Sequence, residues 1–161
     1  MLGVLIAIAL AMASQQQQPP PPQTQPVAFS HRQHAGTLGL ACMSCHANPE
    51  PGDAMAYPAE AFCMGCHASI KTDSPDIKTL AALASANESV PWVRINPIPT
   101  YVFWSHKSHL ASGASCGKCH GQVAAGRSLR RDMPRSMETC MSCHREEKAS
   151  VDCSYCHESR H

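Results

Sequence analysis

Aromatic side chains make up only 5% of the 161 residues, three Phe, three Tyr and two Trp. So few large rings cannot fill the interior of a chain this long, which excludes a core of the ordinary side-chain kind. Charge is scarce as well: 13 Lys and Arg against 12 Asp and Glu leave a net charge of +1. That balance gives no basis for a nucleic-acid surface. No cysteine stands alone, because all ten fall into C-x-x-C pairs. The apolar run at residues 1–13 is short of the roughly 20 residues a membrane-spanning helix needs.

What the chain does have is C-x-x-C-H, five times over: at residues 42–46, 63–67, 116–120, 140–144 and 153–157. This is the attachment signature of c-type haem. Two thiols bond to the two vinyl groups of a porphyrin, and the adjoining His lies where it ligates the iron. The expected cofactors are therefore five covalently bound haem c groups. Cys42, Cys45, Cys63, Cys66, Cys116, Cys119, Cys140, Cys143, Cys153 and Cys156 would hold the rings, with His46, His67, His120, His144 and His157 as proximal ligands. Disulfides and zinc are the rival uses of C-x-x-C. Neither needs a His after every pair, and an odd number of pairs leaves one zinc half-site without a mate. Haem faces would also supply the missing core, and covalent bonds would staple the chain around them.

Five other His remain: His31, His34, His106, His109 and His161. The first four belong to a repeat, V-x-aromatic-S-H-basic-x-H, in which His31 and His106, and His34 and His109, are each 75 positions apart. Two His at i and i+3 share one side of a helical turn. They cannot both serve one ring face, so each pair should reach two neighbouring irons as distal ligands. The count closes at five proximal and five distal His if the terminal His161 is the last ligand. Methionine is the rival for that place, Met137 first, with Met133 and Met55 also available. Met43, Met64 and Met141 lie inside motifs and are expected to pack beside the rings.

Taken in order, residues 1–13 end in Ala11, Met12 and Ala13 and look like the hydrophobic region and cleavage site of a secretory signal. Residues 14–26 are Gln- and Pro-rich, an extended linker that cannot build a core. A dihaem unit over 27–89 and a trihaem unit over 90–161 should follow. One clear helix is expected after His67: Ser74 and Pro75 suit its start, and Ile77, Leu80, Ala81 and Ala84 recur with helical period. Residues 90–99 hold three prolines and should be extended. The fold class expected is mainly irregular with short α-helices, packed on haems, with little or no sheet. Arg32, Arg94, Lys107, Arg130 and Arg131 are available to pair haem propionates.

The aromatic-S-H-x-x-H segment followed by C-x-x-C-H resembles the class III cytochromes c, small multihaem proteins with two His on each iron. Phe29 to Gly36, Val90 to Ile95, Tyr101 to His106 and Ser136 to Cys140 together resemble the pentahaem cytochrome c subunit of bacterial alternative complex III. The resemblance covers residues 27–157. It implies a subunit on the periplasmic side of a quinol-oxidising membrane complex, passing electrons towards a further cytochrome or an oxidase. The expected function is an exported electron-transfer protein with redox-protein partners, and not an enzyme. No small-molecule substrate and no nucleic acid are expected. The alternative is a multihaem reductase in which one haem keeps an open site.

Overall fold

A computed structural model describes residues 24–48, 50–126 and 136–157. The signal-like segment, most of the linker, Arg130, Arg131, Met133 and His161 lie outside the described residues. Among the described residues there are helices, turns and irregular segments and no strand, as the composition predicts. None of those helices is long and apolar enough to cross a membrane.

Five of the helices carry the motifs: α1 (Cys42–Cys45), α2 (Glu60–His67), α5 (Cys116–His120), α6 (Met137–Glu146) and α7 (Cys153–His157). All are shorter than the dozen or so residues at which an isolated helix becomes marginal in water, so tertiary contacts must hold them. The helix expected after His67 is α3 (Pro75–Ala86), with Pro75 in the first turn. Ser74 is its N-cap in position, but its hydroxyl makes no cap bond. Asp76 instead uses its carboxylate to accept the Ala28 amide at 3.0 Å, tying the helix start to the beginning of the fold. Asn87 ends the helix in the left-handed region at φ 56°, which Asn tolerates better than most residues.

The buried side-chain core is small. Val27, Leu80 and Val90 are the buried apolar residues, with Ile77, Leu83, Trp92, Cys63 and Met64 packed partly against them. Two polar contacts pin this cluster. Glu60 accepts the Val90 amide at 2.7 Å. The Gln25 side chain accepts from the Val93 amide at 3.0 Å and donates to the Val93 carbonyl at 2.9 Å. The proline-bearing stretch 90–99 is neither helix nor strand, as its composition requires. Elsewhere large apolar side chains face outward, among them Phe62, Ile70, Phe103 and Met43. Such a chain is a shell around something other than its own side chains.

The repeat in the sequence is also a repeat in space. The distal His of the second copy lie on α4 (His106–Ala111), capped by Ser105, whose hydroxyl accepts the Ser108 amide at 3.3 Å. The first copy forms a wider π-helical turn at Arg32–Thr37, closed by the Leu38 amide on the Gln33 carbonyl at 3.0 Å. Gly36 and Gly39 stand where the second copy has Ala111 and Ala114. Gly36 lies against the Ala124 carbonyl with no room for a Cβ, so the first copy bends to admit the short 3₁₀ turn Val123–Ala125. The halves clasp each other reciprocally. Arg32 donates its amide to the Gly126 carbonyl at 2.8 Å, and Lys107 donates its amide to the Gly52 carbonyl at 3.0 Å.

Candidate haem-binding site

Sites I to V denote, in chain order, the motifs at residues 42–46, 63–67, 116–120, 140–144 and 153–157. The fold brings four distal candidates face to face with four motif His. At site I the ring centres of His31 and His46 are 6.3 Å apart. At site II His34 and His67 are 6.1 Å apart. At site III His106 and His120 are 6.3 Å apart, and at site IV His109 and His144 are 6.1 Å apart. These gaps are too wide for ring stacking. A metal–imidazole bond of about 2 Å on each side, plus half a ring each, puts two axial imidazole centres about 6 Å apart. The spacing therefore fits one iron held between each pair. Within each i, i+3 pair the two rings face different motif His.

The rings are also held in the right tautomer. Nδ1 donates to a backbone carbonyl in seven of the His: His34 to Ser30 at 2.9 Å, His46 to Ala56 at 3.0 Å, His67 to Ile70 at 3.0 Å, His106 to Asp53 at 2.7 Å, His109 to Ser105 at 2.8 Å, His144 to Ser150 at 2.6 Å and His157 to Tyr101 at 3.3 Å. A carbonyl only accepts, so the proton must be on Nδ1 and the lone pair on Nε2. This is how proteins orient His for a metal. Trp104 Nε1 also approaches His106 Nδ1, at 3.3 Å. The shorter bond to Asp53 assigns that nitrogen as donor, so the Trp104 approach is a contact and not a second bond. His31 is half-buried beside His46 and His34, and its pKa falls to about 4, chiefly through desolvation and then through those two rings. It stays neutral, with a free lone pair.

An aromatic ring backs the distal His in both copies. Phe29 stacks on His34 at 4.4 Å, and Trp104 stacks on His109 at 3.9 Å. The same two rings stand edge-on to His31 and His106, at 4.8 and 5.4 Å. This explains the aromatic in the repeated pattern: one ring wedges the two distal His apart and fixes both.

No Cys is joined to another as a disulfide. Among the described residues no three His, Cys, Asp or Glu side chains converge as a zinc site would require. Burial raises the thiol pKa of Cys45, Cys63, Cys116 and Cys140, each further raised by neighbouring thiols. One such neighbour is across the two halves: Cys42 raises the pKa of Cys116.

Site V differs. The ring facing His157 among the described residues is Tyr101, at 6.2 Å and 22°. His161 lies outside the described residues. Met137 is 65% exposed at the start of α6. Of the basic residues expected at propionates, Lys107 instead pairs with Glu50 at 2.5 Å, and Arg94 lies over the Tyr57 ring at 5.4 Å. The backbone carbonyls that orient the rings carry no sequence signal, apart from those of Ser30 and Ser105 within the repeated pattern.

Thiol pairs with an adjoining His, set against a second His, define a multihaem c-type cytochrome with covalently bound haem c. The chain belongs to the class III cytochrome c family, whose model matches residues 8–89. A second family, cytochrome c7 and related cytochrome c, matches residues 102–158. The multihaem cytochrome c subunit of menaquinone reductase from Nitratidesulfovibrio vulgaris (strain Hildenborough) is 28% identical over 119 residues, 73% of this chain and 56% of that protein. The chain thus spans about half the length of that curated relative.

Proposed function

We propose that the protein is an exported pentahaem electron carrier of a respiratory chain, working on the periplasmic side of a quinone-linked membrane complex. The observation that carries this reading is the set of four His–His pairs at 6.1–6.3 Å, each joining a motif His to a His of the repeat. Bound there, haem iron supplies one-electron redox chemistry. The chain's part is to offer two His at each of these four sites, which would hold the iron and leave no place for a substrate, and to keep Nε2 unprotonated through the backbone carbonyls at Nδ1. Two imidazoles also favour low potentials, because methionine ligation is what raises them. Of the fifth pair, His157 is the proximal member and His161 the distal one.

The relative's name supports a place in a menaquinone reductase-like assembly, and the likeness to the alternative complex III subunit supports a related one. Redox-protein partners follow from either. The signal-like residues 1–13 support export, as does the attachment of haem c outside the cytoplasmic membrane. The division into a dihaem unit over 27–89 and a trihaem unit over 90–161 is supported by the two family matches, which meet across residues 90–101.

Intact mass and a haemochrome assay on the exported protein test the count. Five haems per chain are expected, and four or fewer would overturn the pentahaem reading. The second reading, a reductase with one open iron, draws on site V, where among the described residues the ring facing His157 is Tyr101. Carbon monoxide separates the two: the reduced carrier should not bind it, whereas a reductase should bind it at one haem in five.

A further inference from the structure

His31 and His34 share one turn and face different motifs, so sites I and II are neighbours. His106 and His109 do the same for sites III and IV. Further contacts join these pairs to each other and to site V. Arg32, next to His31 of site I, donates its amide to the carbonyl of Gly126, six residues past His120 of site III, and Lys107, next to His106 of site III, donates to Gly52, six residues past His46 of site I, which brings site I against site III. The Ser150 carbonyl accepts from His144 Nδ1 at 2.6 Å, three residues before site V begins at Cys153, so site V abuts site IV. The Phe103 amide donates to the Cys156 carbonyl at 2.7 Å, holding site V to the segment that leads into α4.

The contact between sites I and III has a particular symmetry. Cys42 and Cys116 occupy the same place in the two copies, 74 positions apart. Gly52 and Gly126 are also 74 apart, and Arg32 and Lys107 are 75 apart. The two amide–carbonyl bonds of the clasp are therefore one bond repeated in opposite directions. That is the signature of a local two-fold axis between the two copies. The ring planes obey it too. They are within 10° and 3° of parallel at sites I and III, and tilted by 53° and 45° at sites II and IV. Lys71 and Lys148, each four residues after the motif His of sites II and IV, both turn through φ of 55–56°.

We propose that the five sites stand in single file, II–I–III–IV–V, with I and III meeting at the local two-fold axis and V added at one end only. The order is not that of the chain, because the first motif lies inside the file and the second at its end. It rests on the five-haem reading above.

Proton NMR of the fully reduced, diamagnetic holoprotein tests it without any substitution. Thioether methyl groups at Cys42 and Cys116 should show a nuclear Overhauser contact, and inter-haem contacts should link I–II, I–III, III–IV and IV–V. A contact linking II to IV or to V, or the lack of any between I and III, would overturn the order. A second measurement uses the H67M variant, in which methionine raises the potential at site II. The titration of site I should then shift while sites IV and V keep theirs, and a first-order shift at IV or V would overturn the proposal. Haem counting on the same sample separates the two readings: fewer than five haems sinks the pentahaem reading, whereas five haems with other contacts sinks only the order.

Discussion

Arg32 and Lys107 make the same bond in opposite directions. The Arg32 amide reaches the Gly126 carbonyl at 2.8 Å, and the Lys107 amide reaches the Gly52 carbonyl at 3.0 Å. Each half thereby fixes the turn that carries the other half's distal His. With three buried apolar side chains among the described residues, the fold depends on such backbone contacts more than most, since little hydrophobic burial backs them up.

The clasp leads to a first prediction. Gly52 has φ +95°, and a Cβ there would meet the Lys107 side chain at 2.5 Å. G52A should destabilise the holoprotein by about 1–3 kcal/mol through backbone strain alone, with more from the displaced Lys107. Thermal melts followed at the Soret band should show a fall for G52A.

Removing a distal ligand should open one iron and no other. H106A leaves His120 facing an empty place at site III, while His109 keeps its carbonyl bond and its stack on Trp104. The reduced variant should bind carbon monoxide at one haem per chain. H109M, by contrast, should keep the site closed, raise the potential of site IV, and add a weak absorption near the red end of the oxidised spectrum.

The ring angles predict two spectroscopic classes. The π orbital of an imidazole is perpendicular to its ring, so two parallel rings bound to one iron would act on the same d orbital and split the set more than two crossed rings would. Electron paramagnetic resonance of the oxidised protein should therefore group sites I and III, at 10° and 3°, apart from sites II and IV, at 53° and 45°. Four identical signals would contradict these angles.

Losing one attachment should disturb more than one haem. C66S or C143S frees one side of a ring that forms part of a shared interior, exposing its neighbours to water. Haem loss and altered spectra should extend to an adjacent site, and the melting temperature should fall. A variant that keeps the other four haems with unchanged spectra would count against a haem-built core.

The tenth His is tested by truncation. Deleting His161 should make site V reactive to carbon monoxide and change its potential. Unchanged spectra and potentials would remove it as a ligand and leave a methionine such as Met137, or an open iron.

Much of this protein was legible in its sequence because its chemistry is local. C-x-x-C-H puts two thiols and an imidazole within five residues, and a short helical turn converts that spacing directly into an attachment site. The divided roles of His31 and His34, and of His106 and His109, follow from helical geometry in the same way. So do α3, with its proline start and apolar period, and the extended stretch 90–99. Tertiary structure decided which distal His meets which motif, since His109 and His144 are brought together across 35 positions by packing alone. It also decided what holds the rings, because a backbone carbonyl is the same group in every residue and leaves no mark in the sequence. The wider turn at Arg32–Thr37 had the same origin: Gly36 is readable as a glycine, but only the approach of Ala124 shows why one is needed. The meeting of Cys42 with Cys116 is of this kind too. Covalent spacing names the sites, and the packing of two repeated halves sets who their neighbours are.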